Sequence, residues 1–189
     1  RDPIAEVIRR VVYETEVFKG VVEMERSNIA ERSSKLFPFS GIYSASKNLI
    51  DLEKNKKIDQ HVNLVSLFWD TVGDNMDQWR GVRIGNLSAT EVRRDYIHTH
   101  VIILQALGMA GKDLMSQFPN NWKTKIKNLK KINWLKNNPE WHQRVIVNGR
   151  VVKNSNSIIL AANLIKKAIG ARLSVKEKAL ESNMKKNGK

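Results

Sequence analysis

The sequence contains no cysteine. That absence excludes disulfides, thiolate nucleophiles and Cys-ligated zinc or iron-sulfur centres together, and it fits a reducing cytoplasm. There is no apolar run of about 18 residues, the length a spanning helix requires. The opening RDPIAEVIRR has no signal-peptide pattern, so no membrane partner is expected. A nucleophile elbow, a Rossmann glycine fingerprint, a complete P-loop, a zinc motif and a paired-carboxylate dyad are all missing, so no catalytic residue, metal or cofactor is predicted. Negative charge is scarce, with 19 Asp and Glu against 33 Lys and Arg. The chain opens at Arg1 without a methionine and is expected to be part of a longer protein.

What is present is apolar sequence enough for one domain's core, 41% of 189 residues, and a formal charge of +14 placed unevenly. Between Asn120 and Arg172 twelve Lys or Arg stand against Glu140 alone, so +11 of the +14 falls there. Such concentration draws polyanions and releases counterions when phosphates are neutralised, which makes nucleic acid the leading partner. A solubilising lysine surface is the plainer alternative.

The chain organises around SATEVRRDYIHTHVIILQALG, residues 88–108. Ser88 and Glu91 have capping-box spacing and Gly108 sits where a left-handed residue would close a helix, so one helix is predicted across it. Its second half is apolar on nearly every side and belongs in the core. Its first half carries Arg93, Arg94, His98 and His100 and is expected at a polar surface. Asp2-Pro3 opens a first helix running to about Tyr13 or Glu14, and Ser40–Leu52 and a longer stretch from Asp59 are further amphipathic helices. Gly73 marks an end or a weak point of the second, and the turn EKNKK separates the two. Residues 16–39 are read as an extended piece and a loop in which Arg26, Ser27, Asn28, Arg32, Ser33, Ser34 and Lys35 suit phosphate oxygens, although a plain solvated loop is the favoured reading of the same residues. After a short piece ending at Pro119, Asn121 caps a lysine-flanked helix. The only strand signal, RVIVNGRVV, predicts a hairpin turning at Asn148-Gly149. It leads into a helix capped near Asn154 and closed by Gly170. A last helix opens on the capping box Ser174 and Glu177, and residues 181–189 are expected to be disordered. The predicted fold is therefore mainly α, one compact helical domain over residues 1–172 with one small β-hairpin, followed by a C-terminal helix and basic tail over 173–189.

The sharpest constellation is the hairpin-to-helix junction, with Arg150, Lys153 and Asn156 beside Asn154 and Ser155. Unpaired N–H groups at a helix start, flanked by cations, make a phosphate seat, although plain capping explains the same residues. Arg93, Arg94 and His98 form the second candidate group, and Lys123, Lys127 and Lys166 supply general electrostatics. Glu91, Asp95 and His98 share a helical face, but the spacing is common by chance and no second ligand cluster accompanies it, so no metal is assigned. Trp122, Trp134 and Trp141 lie inside the basic segment; burial beneath it is favoured over stacking on bases.

RDPIAEVIRRVV, EMERSNIAERSSKLFPFSGIY, LSATEVRRDYIHTHVIILQALG and INWLKNNPEWHQRVIVNGRVVKNSNSIILAANLIKKAIG, in this order, resemble the C-terminal half of the DndB family of DNA sulfur modification proteins. The most specific segments are RRDYIHTH and the NPEW to NGRVVKNSNS stretch. The family's DGQHR motif is absent, and Arg1-Asp2-Pro3 looks like the point just after it. The resemblance implies a bacterial cytoplasmic regulator that binds double-stranded DNA at the promoter of its own operon. There it would repress a phosphorothioate modification gene cluster, while other phosphorothioation proteins carry the sulfur chemistry. An accessory enzyme, hydrolysing nucleotide or nicking DNA, and an assembly module remain the alternatives. A repressor commonly acts as a homo-oligomer on a palindrome, though no heptad marks a dimer face.

Overall fold

The computed structural model describes residues 2–52, 54 and 56–188, so Glu53 and Asn55 of the predicted EKNKK turn lie outside the described residues. Helix α1 (Pro3–Glu14) starts as its residues dictate. The Asp2 carboxylate accepts a hydrogen bond from the Ile4 N–H at 2.9 Å, and Pro3 occupies the first turn, where a missing N–H is no loss. The same carboxylate accepts the Tyr43 hydroxyl at 2.9 Å, which fastens α1 to α2 (Phe39–Ser46). The inward stripe of α1, Val7, Ile8, Val11 and Val12, packs against α3 (Ile58–Gly73). Between α1 and α2 lies a parallel pair, β1 (Val22–Glu23) and β2 (Phe37–Pro38), absent from the sequence prediction because two-residue strands carry no periodicity.

Gly73 ends α3, and Met76 and Trp79 keep the apolar spacing across the break into α4 (Asp77–Arg83). The stretch predicted as one helix over Ser88–Gly108 is two, α5 (Ala89–Asp95) and α6 (Val101–Gln117). Tertiary pairing wins over helical hydrogen bonding between them. Tyr96 bridges Leu135 in antiparallel fashion, the Ile97 N–H donates to the Trp134 carbonyl at 2.8 Å, and the Lys136 N–H donates to the Asp95 carbonyl at 2.9 Å. Gly108 is accordingly no cap. It lies mid-helix where the α2 backbone passes so close that a methyl group would collide with the Ala45 carbonyl oxygen.

Helix α7 (Trp122–Ile126) continues as a 3-10 turn, Lys127–Lys131, as α2 does over Lys47–Leu49, and a further such turn is Pro139–Trp141. The hairpin forms as predicted, β3 (Ile146–Val147) against β4 (Arg150–Val151), with φ of 51° at Asn148 and 72° at Gly149 matching a type I′ turn. Asn154 caps α8 (Ser155–Ile169), and both halves of the Ser174–Glu177 capping box open α9 (Val175–Asn187). The stretch expected to be disordered is thus helical through Asn187. Its anchor is Glu181, buried against the Arg144 guanidinium and also paired with Lys167 at 3.0 Å.

Nine α-helices and two two-stranded pairs make up the described residues, a mainly α fold. All five tryptophans are buried, including the three of the basic segment. Among the described residues no helix is long and apolar enough to cross a membrane.

Candidate nucleic-acid interface

Helices α6 and α8 pack side by side in parallel. Val101, Ile102 and Gln105 face the same space as Asn154, Ser155 and Ile158 at one end, while Lys166 reaches Asp113 and the Arg172 N–H donates to Gln117 at 2.7 Å near the other. Both N-termini therefore open toward one cleft, where their partial positive charges add. The third wall is the loop preceding β2. The Arg93 guanidinium straps that loop by donating to the carbonyls of Ala30 (3.1 Å), Glu31 (2.6 Å), Ser33 (2.8 Å) and Lys35, which presents Ser27 and Asn28 to the cleft.

One part of the cleft, about 290 Å³, has a mixed lining that includes Arg93, Thr99, His100 and Lys153 together with Leu36, Pro38 and Val151. A neighbouring part, about 460 Å³, shares Ser27, Asn28, Val101, Ile102 and Lys153 and extends along Asn154 and Ser155. Among the described residues no carboxylate lines either part. The start of α6 is uncapped: His100 makes no side-chain capping bond, and the N–H groups of Val101 and Ile102 have no acceptor among the described residues. Thr99, only 6% exposed, brings a hydroxyl that likewise has no partner among the described residues. Orphan donors at a half-buried helix end call for a ligand or water. Burial, reinforced by the charges of Lys136 and Lys153, pushes the His100 imidazole down to about 4, so it stands neutral in this positive surrounding.

The structure sorts the predicted residues. Lys153 lines the cleft, and Arg150 stands exposed on β4 just before it. Asn156, exposed on the first turn of α8, lines a separate hollow with Gln143 and Met184. Arg94 is exposed but paired with Asp95 at 2.8 Å. Arg93 spends its donors on the loop and touches the cleft only as a wall. Two candidates leave the surface altogether. His98 is fully buried, accepting from the Trp79 indole at 3.2 Å and facing Gln78 at 3.0 Å, with Tyr96 and Trp134 rings against it. The break after Asp95 turns it inward, which also separates it from the Glu91 and Asp95 face. Lys166 is buried between Asp113 and Glu177 and serves as a counter-ion inside the protein. Thr99 was missed because its position matters only once the helix breaks, and nothing local in the sequence marks that break.

The family model described as "DndB: DNA-sulfur modification-associated" matches residues 1–172. The chain belongs to the DndB family. Comparison with curated proteins and with solved structures returned no match. Membership ties this DndB chain to DNA sulfur modification, and the matched range ends just before the Ser174 cap of α9. Its basic segment is not one surface. At the C-terminal ends of α6 and α8, Lys125 sits over the Phe118 ring at 4.1 Å, Arg172 over the same ring at 5.7 Å, and Lys123 over Trp122 at 5.9 Å. Cations there offset the negative ends of two helix dipoles. This cluster is about one length of α6, roughly 25 Å, from the cleft. Lys127 opens the 3-10 turn that packs on α8 and remains exposed.

Proposed function

We propose that this DndB-family chain binds double-stranded DNA and acts as a transcriptional regulator, a repressor, of a phosphorothioate modification gene cluster. The cleft at the start of α6 is its phosphate seat. One observation carries the reading: an uncapped helix start, with N–H groups at Val101 and Ile102 that find no acceptor among the described residues, opens beside Lys153 into a cleft that no described carboxylate lines. A backbone phosphate would satisfy those donors and gain from two aligned dipoles. Arg150, exposed on β4, extends the interface from Lys153 along the strand, and Asn156, exposed on the first turn of α8, extends it toward the neighbouring hollow. Lys123 and Lys127 attract the duplex at longer range. Family membership supports DNA as the polyanion and the other phosphorothioation proteins as its setting.

The test is a titration of the intact chain against the upstream duplex of its own operon at two salt concentrations. Reversing Arg150 and Lys153 together (Arg150→Glu, Lys153→Glu) is expected to weaken binding at least tenfold and to lower the salt slope by about one for each phosphate that is no longer neutralised. Unchanged affinity would overturn the seat. Copurification with other phosphorothioation proteins that survives high salt, without any DNA affinity, would favour an assembly module instead.

A further inference from the structure

We propose that Arg144, Lys166 and Lys167 form a second phosphate site, and that α9 masks it by holding Glu177 and Glu181 where phosphates would sit. These residues are separate from those of the cleft; only the ligand, the DNA backbone, rests on the reading above.

The three cations belong to the family-matched range, whereas the carboxylates that meet them come from α9, which begins after that range ends. The Arg144 guanidinium grips Glu181 with both terminal nitrogens, Nη2 donating to Oε2 at 2.9 Å, and Lys167 reaches the same oxygen at 3.0 Å. Lys166 donates to Glu177 at 2.5 Å. A guanidinium fork on two acidic oxygens is also the way arginine takes a phosphate. Glu177 and Glu181 stand about 6 Å apart along the helix axis, close to the spacing of successive phosphates on one strand. Two of the cations have an anchor outside α9 as well. Arg144 donates to the Leu160 carbonyl at 2.9 Å, and Lys166 pairs with Asp113 of α6. The site is therefore preformed on the rest of the protein.

Charge is what holds α9. Among the described residues its one buried side chain is Glu181, while Leu180 and Met184 are half-buried and lie outside the hydrophobic core. A helix of 13 residues is marginal in water by itself. Its attachment thus depends on the ion pairs for which a polyanion competes. Burial works against the Glu181 charge, yet Arg144 and Lys167 hold its carboxyl down to about 2, so it occupies the site as an anion at neutral pH.

Hydrogen exchange of the intact chain, followed across residues 175–187 at matched ionic strength, tests the masking with two probes, duplex DNA and inorganic polyphosphate. Each is expected to speed exchange in α9 about tenfold as the helix is displaced. Exchange left unchanged or slowed by both would overturn the proposal. Acceleration by polyphosphate without any affinity for duplex would keep the masked site and overturn the DNA-binding reading instead. Glu177→Gln with Glu181→Gln is expected to tighten duplex binding about tenfold, because a closed state that excludes ligand lowers apparent affinity. Adding Lys167→Gln should remove part of that gain. Equal or weaker binding by the folded double variant would make the two carboxylates structural ties alone; should that variant not fold, exchange in the unaltered chain decides.

Discussion

Burial holds the imidazole of His98 down to about 3 and that of His100 to about 4, against 6.5 for the free side chain. For His98 burial is the main cause and nearby His100 the lesser one; Trp79 donates to its Nδ1, which leaves the proton on Nε2 toward Gln78. Both rings are neutral in the fold, whereas in the unfolded chain they take up protons below pH 6.5. Stability is therefore complete above about pH 6.5 and falls as pH drops toward the folded values. The loss is about 2 kcal/mol for each imidazole by pH 5. Denaturant unfolding at pH 7.5 and pH 5.0 is expected to show this loss, and His98→Gln should cut the difference by about half. A difference unaltered by that substitution would mean that His98 is not the buried base described. Which histidine lines the cleft and which faces the core could not be read locally, since His98 and His100 differ by two positions in a segment whose helical phase is interrupted.

Among the elements, α6 decides most. Its apolar character was legible from Val101 to Leu107, and so was its place in the core. Its boundaries were not, because the forces that set them come from elsewhere in the chain: the Trp134 and Leu135 backbone at its start and the Ala45 carbonyl beside Gly108. A glycine read as a cap and one read as a packing surface predict opposite responses. Gly108→Ala raises helix propensity by about 1 kcal/mol, yet here the methyl group would force α2 and α6 apart at a cost of about 1–3 kcal/mol or more. Net destabilisation, read as a lower denaturation midpoint at unchanged slope, is expected. A stabilised variant would show that α2 does not approach α6 this closely. The hairpin, by contrast, was legible to the residue, because Asn148-Gly149 encodes its turn without help from outside.

Across the whole molecule, the charge of the last third is divided between two ends of the α6–α8 pair and its own interior. Arg144 pairs with the buried Glu181 and the buried Lys166 with Asp113 of α6 and Glu177 of α9, which holds α9 in place, and Lys123, Lys125 and Arg172 lie on aromatic rings at the end remote from the cleft. At physiological salt, interactions are screened beyond about 8 Å, so under the proposed function the remote cluster would act on a duplex in the cleft mainly by steering. Lys123→Glu with Lys125→Glu is expected to slow association and weaken binding about twofold to threefold on every sequence. The Arg150 and Lys153 reversal should cost far more. A larger loss from the remote pair, measured on the same duplex, would move the interface to α7.

The sequence by itself determined the mainly α fold, the caps at Asp2, Ser88, Asn154 and Ser174, the type I′ hairpin and the family, because each rests on neighbours within a few residues or on the order of motifs along the chain. Only the tertiary structure decided that α6 begins at Val101 and joins Lys153, Ser27 and Asn28 around one cleft. It alone took His98 and Lys166 into the interior. The physical reason is that a backbone N–H, an imidazole or an ammonium group has several partners of similar worth, and which one it takes depends on chain segments far away in sequence.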